Sequence, residues 1–231
     1  MNKKGSFNIL QWVWWMAAIP LYGVCAYPAV LLLSTLHKGS LLLFSIAIPM
    51  ALLLFILNLL IAITIIFRFV PKISEGEYPL ERNGEVLKWM VSAGVVNLVR
   101  LLGIQKIIYA NPLLRRLYFF AFRAKVHPSA IISYEVVIAD PFLIEIGPNA
   151  KLGEMAKITG HYSDMNKYIF KKVVIEEGAL IGAVTGVLPG VTLKKHSMVG
   201  AGSLVNTNTT IPERELWLGK PARKIKNLRN D

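Results

Sequence analysis

The 231-residue chain has little cysteine and, near its N-terminus, almost no charge. Cys25 is the only cysteine, so no internal disulfide can form, and the chain offers no disulfide argument for secretion. From Ile9 to Phe67 there is no Asp or Glu, and Lys38 is the only Lys or Arg. A Gly-rich phosphate loop, a nucleophile elbow and a recognisable nucleic-acid-binding motif are also missing, which argues against the enzyme and binding classes that depend on them.

The charge that is present is strongly basic. There are 26 Lys and Arg residues against 14 Asp and Glu residues, for a formal net charge of +12. Such an excess suits an anionic membrane surface, a phosphorylated ligand or a nucleic acid. Because the chain also carries apolar runs of membrane length, we expect the bilayer to be the partner and expect no nucleic-acid partner.

Two uncharged runs, Ile9–Leu36 and Leu41–Phe67, flank a polar turn at 37–40. Each exceeds the about 20 residues that span a ~30 Å hydrocarbon core as a helix. We therefore predict a transmembrane helical hairpin within residues 1–70. A signal peptide is the alternative for the first run, but its apolar part would be too long and a second run follows at once. Four aromatic residues are expected to form an interfacial belt: Trp12, Trp14, Trp15 and Tyr22.

Flanking charges predict the orientation of this hairpin. Lys3 and Lys4 precede it and Arg68 and Lys72 follow it, whereas the turn contains Lys38 alone. The positive-inside rule then places both ends in the cytoplasm. The expected protein is a multi-pass protein of the cytoplasmic or inner membrane, with the rest of the chain on the cytoplasmic side.

Residues 71–125 combine a polar linker, Pro71–Gly84, with a basic apolar segment. Between Glu85 and Lys125 there are seven basic residues, and Glu85 is the only acid. We predict one or two amphipathic helices that lie against anionic headgroups. The alternative is that these helices pack under the following domain as a cap, and the two interpretations are not exclusive.

Residues 126–231 are dominated by a six-residue repeat. The aliphatic positions in phase are Val126, Ile132 and Ile138, then Ile146, Leu152 and Ile158, then Ile175, Ile181, Val187, Leu193, Val199, Val205 and Ile211. No helix places every sixth residue on one face, and a plain strand alternates with period two. The period predicts a parallel β-helix, in which each hexad forms one side of a triangular coil. An ordinary antiparallel β-domain is the alternative.

The repeat is interrupted twice. Two extra residues lie near Asp140-Pro141, and a step of 17 separates Ile158 from Ile175. Residues His161–Lys172 should therefore leave the coil as a loop, and such loops often lie on a binding face. The basic tail, Pro212–Asp231, is expected to cap the last rung.

The stretch VVIEEGALIGAVTGVLPGVTLKKHSMVGAGSLVNTNTTIP, followed by LGKPARKIK, resembles the left-handed β-helix hexapeptide-repeat acyltransferases. Galactoside, maltose and xenobiotic O-acetyltransferases are the nearest type, and the resemblance covers Lys125–Leu228. It implies a left-handed coil. Membrane segments followed by such a coil are also similar to the C-terminal part of polylysine-synthetase-type proteins.

The family's catalytic histidine lies in a Thr-Gly-His segment where the loop departs, which implies His161 here. Histidine suits the task, because an acceptor must lose a proton as it attacks a thioester and the unperturbed imidazole pKa is near 6.5. A base needs an orienting partner, for which Asp140, Asp164 and Glu135 are candidates. Glu135 stands where galactoside-type enzymes carry an acceptor-binding asparagine, so we assign Glu135 and Tyr162 to the acceptor and leave the acceptor class open.

The resemblance implies acetyl-CoA as the donor, bound between subunits of a homotrimer. The residues that match the family's donor site are Gly182, Ala183, Gly200 and Ala201, beside the pantetheine arm. The charges of Lys220, Arg223 and Lys224 suit the nucleotide phosphates, and headgroup binding or solvation is the alternative for these three residues. The related γ-carbonic anhydrases hold zinc with three histidines. Because His161 has no histidine five residues on, and His127 and His196 belong to distant rungs, we expect no metal.

Together these features predict a membrane-anchored acyltransferase. It would move acetyl from acetyl-CoA to a hydroxyl or amine of a membrane-associated glycan, lipid or small molecule, with His161 as general base. The alternatives are a non-catalytic trimeric membrane scaffold, which would not need the His161 loop, and an acyltransferase whose donor is bound to a carrier protein.

Overall fold

A computed structural model describes residues 3–79 and 83–228, with side chains from residue 16 onwards. The chain divides into two compact units, Met1–Ile66 and Phe67–Asp231. The division into residues 1–70, 71–125 and 126–231 stays a prediction.

The first unit consists of two long helices. Helix α1 spans Lys3–Leu36 and helix α2 spans Leu41–Phe69, so the two expected apolar helices are confirmed. By length and composition, Met16–Leu36 and Leu41–Phe69 could cross a membrane. The side chains of Trp12, Trp14 and Trp15 lie outside the described part, so the aromatic belt stays a prediction.

The second unit begins with one strand and three helices: β1 (Gly76–Pro79), α3 (Gly84–Leu101), α4 (Gln105–Ala110) and α5 (Pro112–Ala121). Local chemistry explains where α3 and α5 start. The side chain of Asn83 accepts the backbone N–H of Glu85, and that of Asn111 accepts two N–H groups of the first turn of α5. Such N-caps satisfy donors that have no partner inside the helix.

Short strands then follow at the predicted interval. They are β2 (Lys125–Val126), β3 (Ile131–Ile132), β4 (Val137–Ile138), β5 (Ile144–Ile146), β6 (Lys151–Leu152), β7 (Lys157–Ile158), β8 (His161–Ser163), β9 (Lys167–Phe170), β10 (Val173–Ile175), β11 (Leu180–Ile181), β12 (Gly186–Val187), β13 (Thr192–Leu193), β14 (Met198–Val199), β15 (Leu204–Val205), β16 (Thr210–Ile211), β17 (Glu215–Gly219) and β18 (Ala222–Asn227).

Most of these strands form a three-sided parallel β-helix. Its sheets are β2-β5-β10-β13-β16, β3-β6-β11-β14-β17-β18 and β4-β7-β12-β15, and every pair within them is parallel except β17–β18. Equivalent aliphatic residues stack on one another: Ile146 pairs with Ile175, and Ile175 with Leu193. These side chains are at most 3% exposed, and burial of aliphatic area stabilises the coil. The predicted stacking is confirmed, and the architecture is consistent with a left-handed β-helix.

Both predicted interruptions of the coil are present. The extra residues form a short 3-10 helix, Pro141–Leu143. The segment predicted to be a loop is an antiparallel hairpin of β8 and β9, to which β1 adds a third strand in the order β1-β9-β8. The segment interpreted from sequence as a polar linker therefore supplies a strand that pairs with β9, and the ring of Tyr78 packs 5.7 Å from that of Phe170.

Each end of the coil is covered. Along the sides of the coil, strand N–H groups donate to carbonyl oxygens of the following rung, so the strand carbonyls of the first rung have no preceding rung from which to accept hydrogen bonds. Side chains of the helices donate to these carbonyls instead: Arg100 Nη2 donates to Ile138 O at 2.6 Å, and Arg115 Nη1 donates to Ile132 O at 3.3 Å. The basic helices therefore contact the first rung of the coil, in agreement with the capping interpretation, while headgroup binding stays a prediction. At the other end, β18 pairs with β17 of the last rung.

Candidate active site

The two interruptions of the coil bring His161 and Asp140 together. Asp140 lies two residues after the end of β4 and directly precedes the 3-10 helix, and His161 is the first residue of β8. His161 Nδ1 lies 2.6 Å from Asp140 Oδ2. The Asp140 side chain is completely buried, whereas that of His161 is 31% exposed. The pair thus places a buried carboxylate behind an accessible imidazole.

Asp140 is held by donors on both carboxylate oxygens. Trp89 Nε1 donates to Oδ1 at 2.9 Å, and the backbone N–H of Gly160 donates to Oδ2 at 3.0 Å. Burial raises the pKa of this carboxyl, but hydrogen bonding and charge from His161, with the Trp89 and Gly160 donors, outweigh burial and lower the pKa. Asp140 is therefore ionised at neutral pH.

An ionised Asp140 determines which nitrogen of His161 carries the proton. A carboxylate without a proton can only accept hydrogen bonds, so Nδ1 of His161 must donate to it. In the neutral ring Nε2 then has no proton and a free lone pair. Thr159 Oγ1 lies 3.2 Å from the same Nδ1 and donates to His161 O at 2.7 Å, which further restrains the residue. This arrangement is suited to general-base chemistry at Nε2.

Trp89 is a site residue that the sequence does not reveal. Its ring lies 4.6 Å from the imidazole of His161 and stacks 5.6 Å from Phe170. It comes from α3, 51 residues before Asp140, outside the repeats. Neither the six-residue period nor a local motif connects these positions, so only the three-dimensional fold brings Trp89 to the pair.

Asp164 lies at a different place from Asp140, the carboxylate that contacts His161. Asp164 lies at the tip of the hairpin, where its Oδ1 accepts the backbone N–H groups of Asn166 at 2.7 Å and Lys167 at 2.9 Å. These two bonds lower the pKa of its carboxyl. Asp164 closes the turn between β8 and β9, and a role in catalysis stays a prediction.

The residues assigned to the acceptor lie apart. Glu135 pairs with Lys106 of α4 at 2.6 Å, and its side chain is 27% exposed. Tyr162 follows His161 on β8, and both line an open cavity of about 600 Å³. The four-stranded sheet and Arg100 form much of the remaining wall. Tyr162 therefore lies beside the imidazole of His161, whereas Glu135 is engaged in its ion pair with Lys106 of α4.

The small residues assigned to the donor have a structural explanation of their own. A Cβ on Gly182 would lie 2.4 Å from Ala201 N, so the next rung can stack only because Gly182 has no side chain. Above it, the side chain of Leu218 lies where a Cβ on Gly200 would be, at 2.4 Å. The role of Gly182, Ala183, Gly200 and Ala201 in holding pantetheine stays a prediction.

The basic residues of the tail lie on the terminal hairpin. Lys224 is paired with Glu215, and together with the Trp217 indole it lowers the pKa of that carboxyl. Lys220 and Arg223 are exposed, as is Lys224 in part. All three are accessible to an anion, and binding of the donor phosphates stays a prediction.

The other histidines are engaged differently from His161. His127 Nδ1 lies 2.8 Å from Ser129 Oγ, and His196 lies in a turn with φ of 55°. Within residues 3–79 and 83–228, as far as their side chains are described, no group of three or more His, Cys, Asp or Glu residues is arranged to hold a metal ion.

No protein-family model matches this chain. The chain is 37% identical over 86 residues to the mitochondrial γ-carbonic anhydrase 2 of Arabidopsis thaliana, a match that covers 37% of this chain and 27% of that protein. It is 46% identical over 61 residues to the galactoside O-acetyltransferase of Lactococcus lactis, covering 26% and 28%. With the delta-poly-L-ornithine synthetase of Acinetobacter baumannii it shares 23% identity over 156 residues, covering 68% and 11%.

The chain spans less than a third of the length of each of these curated relatives. Two of the three are named for other reactions, and the third is an acetyltransferase with the highest identity of the three. The chain is thus similar over short stretches to an acetyltransferase and to proteins of other activities, and it shares with them no match over its whole length.

Proposed function

We propose that this protein is a membrane-anchored acyltransferase. It transfers an acetyl group from acetyl-CoA to a hydroxyl or amine of a membrane-associated glycan, lipid or small molecule. The observation that carries the proposal is the contact of 2.6 Å between His161 and the fully buried Asp140, beside an open cavity.

The site residues suit a proton-transfer role in acyl transfer. As the acceptor oxygen or nitrogen attacks the thioester carbonyl, His161 Nε2 takes its proton, and Asp140 stabilises the imidazolium that forms. When the tetrahedral intermediate collapses, the carbon–sulfur bond breaks and the imidazolium returns the proton to the leaving thiolate. The products are the acetylated acceptor and coenzyme A, and the base is regenerated.

The donor is proposed to lie along the coil outside rungs that carry small residues. That corner of the coil projects little, because its residues are the small pairs Gly182-Ala183 and Gly200-Ala201. The cations proposed for the nucleotide phosphates are Lys220, Arg223 and Lys224. A homotrimer would complete each site with a neighbouring subunit. Similarity to a galactoside O-acetyltransferase supports acetyl as the transferred group.

The membrane anchor is proposed from the apolar surface of α1 and α2. Large apolar side chains face outwards on both helices: Met16 is 74% exposed, Val24 73%, Leu42 69% and Ile61 58%. Soluble monomers rarely expose so much contiguous apolar surface, whereas lipid covers it without cost. The acceptor is then proposed to be held at the bilayer.

Binding of acetyl-CoA to the detergent-purified full chain tests the proposal. A ligand at about 100 times its Kd adds about 2.7 kcal/mol to the stability of the folded state, so the apparent Tm should rise clearly. Release of the coenzyme A thiol, with a membrane extract as the source of acceptor, should then depend on His161. In His161→Ala the Tm shift should persist and thiol release should fall to the background rate.

Three results would count against the proposal or refine it. Full thiol release by His161→Ala would remove the histidine from the mechanism. Absence of a Tm shift with acetyl-CoA would favour a carrier-protein donor if an acylated carrier protein produced the shift instead. Absence of both shifts would favour the non-catalytic scaffold.

A further inference from the structure

The cavity beside His161 has an uneven distribution of charge. Arg100 and Lys157 line it, and none of its lining residues is an Asp or Glu. Neither cation forms an ion pair with a carboxylate in the described residues. This differs from Lys106, Lys125, Lys172 and Lys224, which have carboxylate partners. Asp140 lies buried behind His161 and is hydrogen-bonded to it, so the surface of the cavity itself carries two cations and no acid, which attracts anions.

Arg100 is the more firmly placed of the two cations. Its Nη2 donates to Ile138 O at 2.6 Å, which fixes the guanidinium at the first rung, while its Nε is buried without a hydrogen-bond partner in the described residues. Lys157 is exposed on β7, one rung on. A fixed guanidinium and an exposed ammonium that line the same cavity are an arrangement that suits phosphate oxygens.

The register of the sheet separates this cationic end from the rest of the cavity. In β4, β7, β12 and β15 the outward positions in successive rungs are Val137, Lys157, Gly186 and Leu204. Lys157 lies one rung beyond Ile138, whose carbonyl oxygen accepts from Arg100, whereas Gly186 and Leu204 lie on the next two rungs and are uncharged. The latter two belong to the same rungs as Gly182-Ala183 and Gly200-Ala201, beside which the donor is proposed to lie.

We propose that Arg100 and Lys157 bind a phosphate group on the acceptor. This rests on the proposed function, because it assigns the uncharged end of the cavity to the acetyl donor and the cationic end to the acceptor. The acceptor class is then a phosphate-bearing alcohol or amine, in which the phosphate anchors the molecule while its nucleophile reaches His161.

Chemical modification of His161 tests this with the full-length protein in detergent. Diethyl pyrocarbonate reacts with unprotonated imidazole, and mass spectrometry of peptides measures the rate at each histidine. Glycerol 3-phosphate, a monoester, and glycerophosphoglycerol, a diester, are the probes, and glycerol is the neutral control. We expect phosphate probes to slow modification of His161 several-fold while glycerol has no effect, with His37, His127 and His196 as internal references.

Variants identify the residues that hold the phosphate. Loss of a charge-assisted contact in Lys157→Met should raise the probe concentration needed for half protection roughly tenfold. Lys151→Met is the matched control, because Lys151 is an exposed lysine at the outward position of β6, in the adjacent sheet. Equal protection of Lys157→Met and wild type, or equal effects of glycerol and the phosphate probes, would overturn the proposal. Protection by either ester supports it, and the more effective one indicates a sugar-type or a lipid-type phosphate.

A second measurement distinguishes the acceptor from the donor as the source of the phosphate. Acetyl-CoA should shift the Tm of Lys157→Met and wild type equally. If Lys157→Met weakened binding of acetyl-CoA but not of phosphate-free acetyl-pantetheine, the cations would belong to the donor site and the proposal would be wrong. Failure of the proposed function is a different outcome, since wild type would then show no Tm shift with acetyl-CoA.

Discussion

At the scale of single residues, the site depends on a carboxylate that water cannot reach. Transferring a charge into the protein interior is costly unless hydrogen bonds replace the lost hydration. Asp140 receives such bonds from the imidazole of His161, the indole of Trp89 and the backbone of Gly160. Removal of any one donor leaves a buried charge less well compensated, so small substitutions here should have large effects.

Asp140→Asn should abolish most activity while preserving the fold. An amide can donate to Nδ1, which favours the tautomer with the proton on Nε2 and blocks proton abstraction there. Loss of general-base catalysis of this kind lowers turnover by about 10²–10⁴-fold. Thiol release in the presence of membrane extract measures the loss, and the acetyl-CoA Tm shift should remain. Turnover within threefold of wild type would contradict the role assigned to Asp140.

Trp89→Phe removes the indole N–H and keeps a ring beside His161. The hydrogen bond to a charged group contributes about 1.5–3 kcal/mol, so stability should fall by that order and the pKa of Asp140 should rise. The matched control is Trp217→Phe, since Trp217 Nε1 also donates to a carboxylate, Glu215 Oε2, at 2.8 Å. Trp89→Phe should lower turnover and shift the acid limb of its pH profile, whereas Trp217→Phe should leave both unchanged. If Trp89→Phe and Trp217→Phe had the same pH profile of turnover, the role of Trp89 would be structural and not catalytic positioning.

Acid should destabilise wild type more than Asp140→Asn. The pKa of Asp140 is lower in the folded state than its unfolded value of about 3.9, so its contribution to stability is present above that value and is lost as the pH falls through the folded value. The Tm difference between the two proteins, measured from pH 7 to pH 3, should therefore change below about pH 4. The other carboxyls are present in both proteins, so their contributions cancel in the Tm difference. Parallel Tm curves would show that Asp140 has no lowered pKa.

At the scale of elements, the three-stranded sheet β1-β9-β8 holds the histidine. Phe170 is fully buried between the rings of Tyr78 at 5.7 Å and Trp89 at 5.6 Å. It thus links the strand that follows the apolar helices, the helix that carries the indole and the hairpin that carries His161. The sheet should behave as one cooperative unit attached to the side of the coil.

Phe170→Ala should loosen this sheet without unfolding the coil. Truncation of a buried phenylalanine costs about 3–5 kcal/mol, enough to populate local opening. Amide hydrogen exchange should accelerate together in β1, β8 and β9 and remain slow in β11–β16. Met165→Ala is the control, because Met165 is 91% exposed at the tip of the hairpin. Faster exchange in β11–β16 as well would show that the sheet and the coil are a single unit.

The repeats could be predicted because their cause is local and periodic. An aliphatic residue every six positions determines the rungs, and the steps of eight and 17 reveal where the coil is interrupted. The contact between Asp140 and His161 is foreseeable only in part, since both lie at interruptions but Asp164 is much nearer to His161 in sequence than Asp140, which is 21 residues away. Trp89 and β1 were beyond prediction, because their partners lie 51 or more residues away and no pattern connects them.

At the scale of the whole molecule, orientation in the membrane can be tested with single cysteines. In a Cys25→Ser background, Ser40→Cys in the turn should react with a membrane-impermeant thiol reagent added to whole cells. Met165→Cys, on the exposed hairpin tip, should react only after the cells are permeabilised. This follows from the excess of Lys and Arg on the flanks of the apolar helices. Labelling of Met165→Cys in intact cells would contradict the cytoplasmic placement of the coil.

The pairing of β1 with β9 has a consequence for the order of folding. Gly76 pairs with Phe170, so the chain must close a loop of more than ninety residues before this sheet exists. Contacts of such long range form late, because the entropy of loop closure opposes them until other structure shortens the distance. The first two rungs of the coil are synthesised within that interval. A nascent chain therefore has its apolar helices well before it has a competent histidine, and truncated products that end before β9 cannot assemble the site.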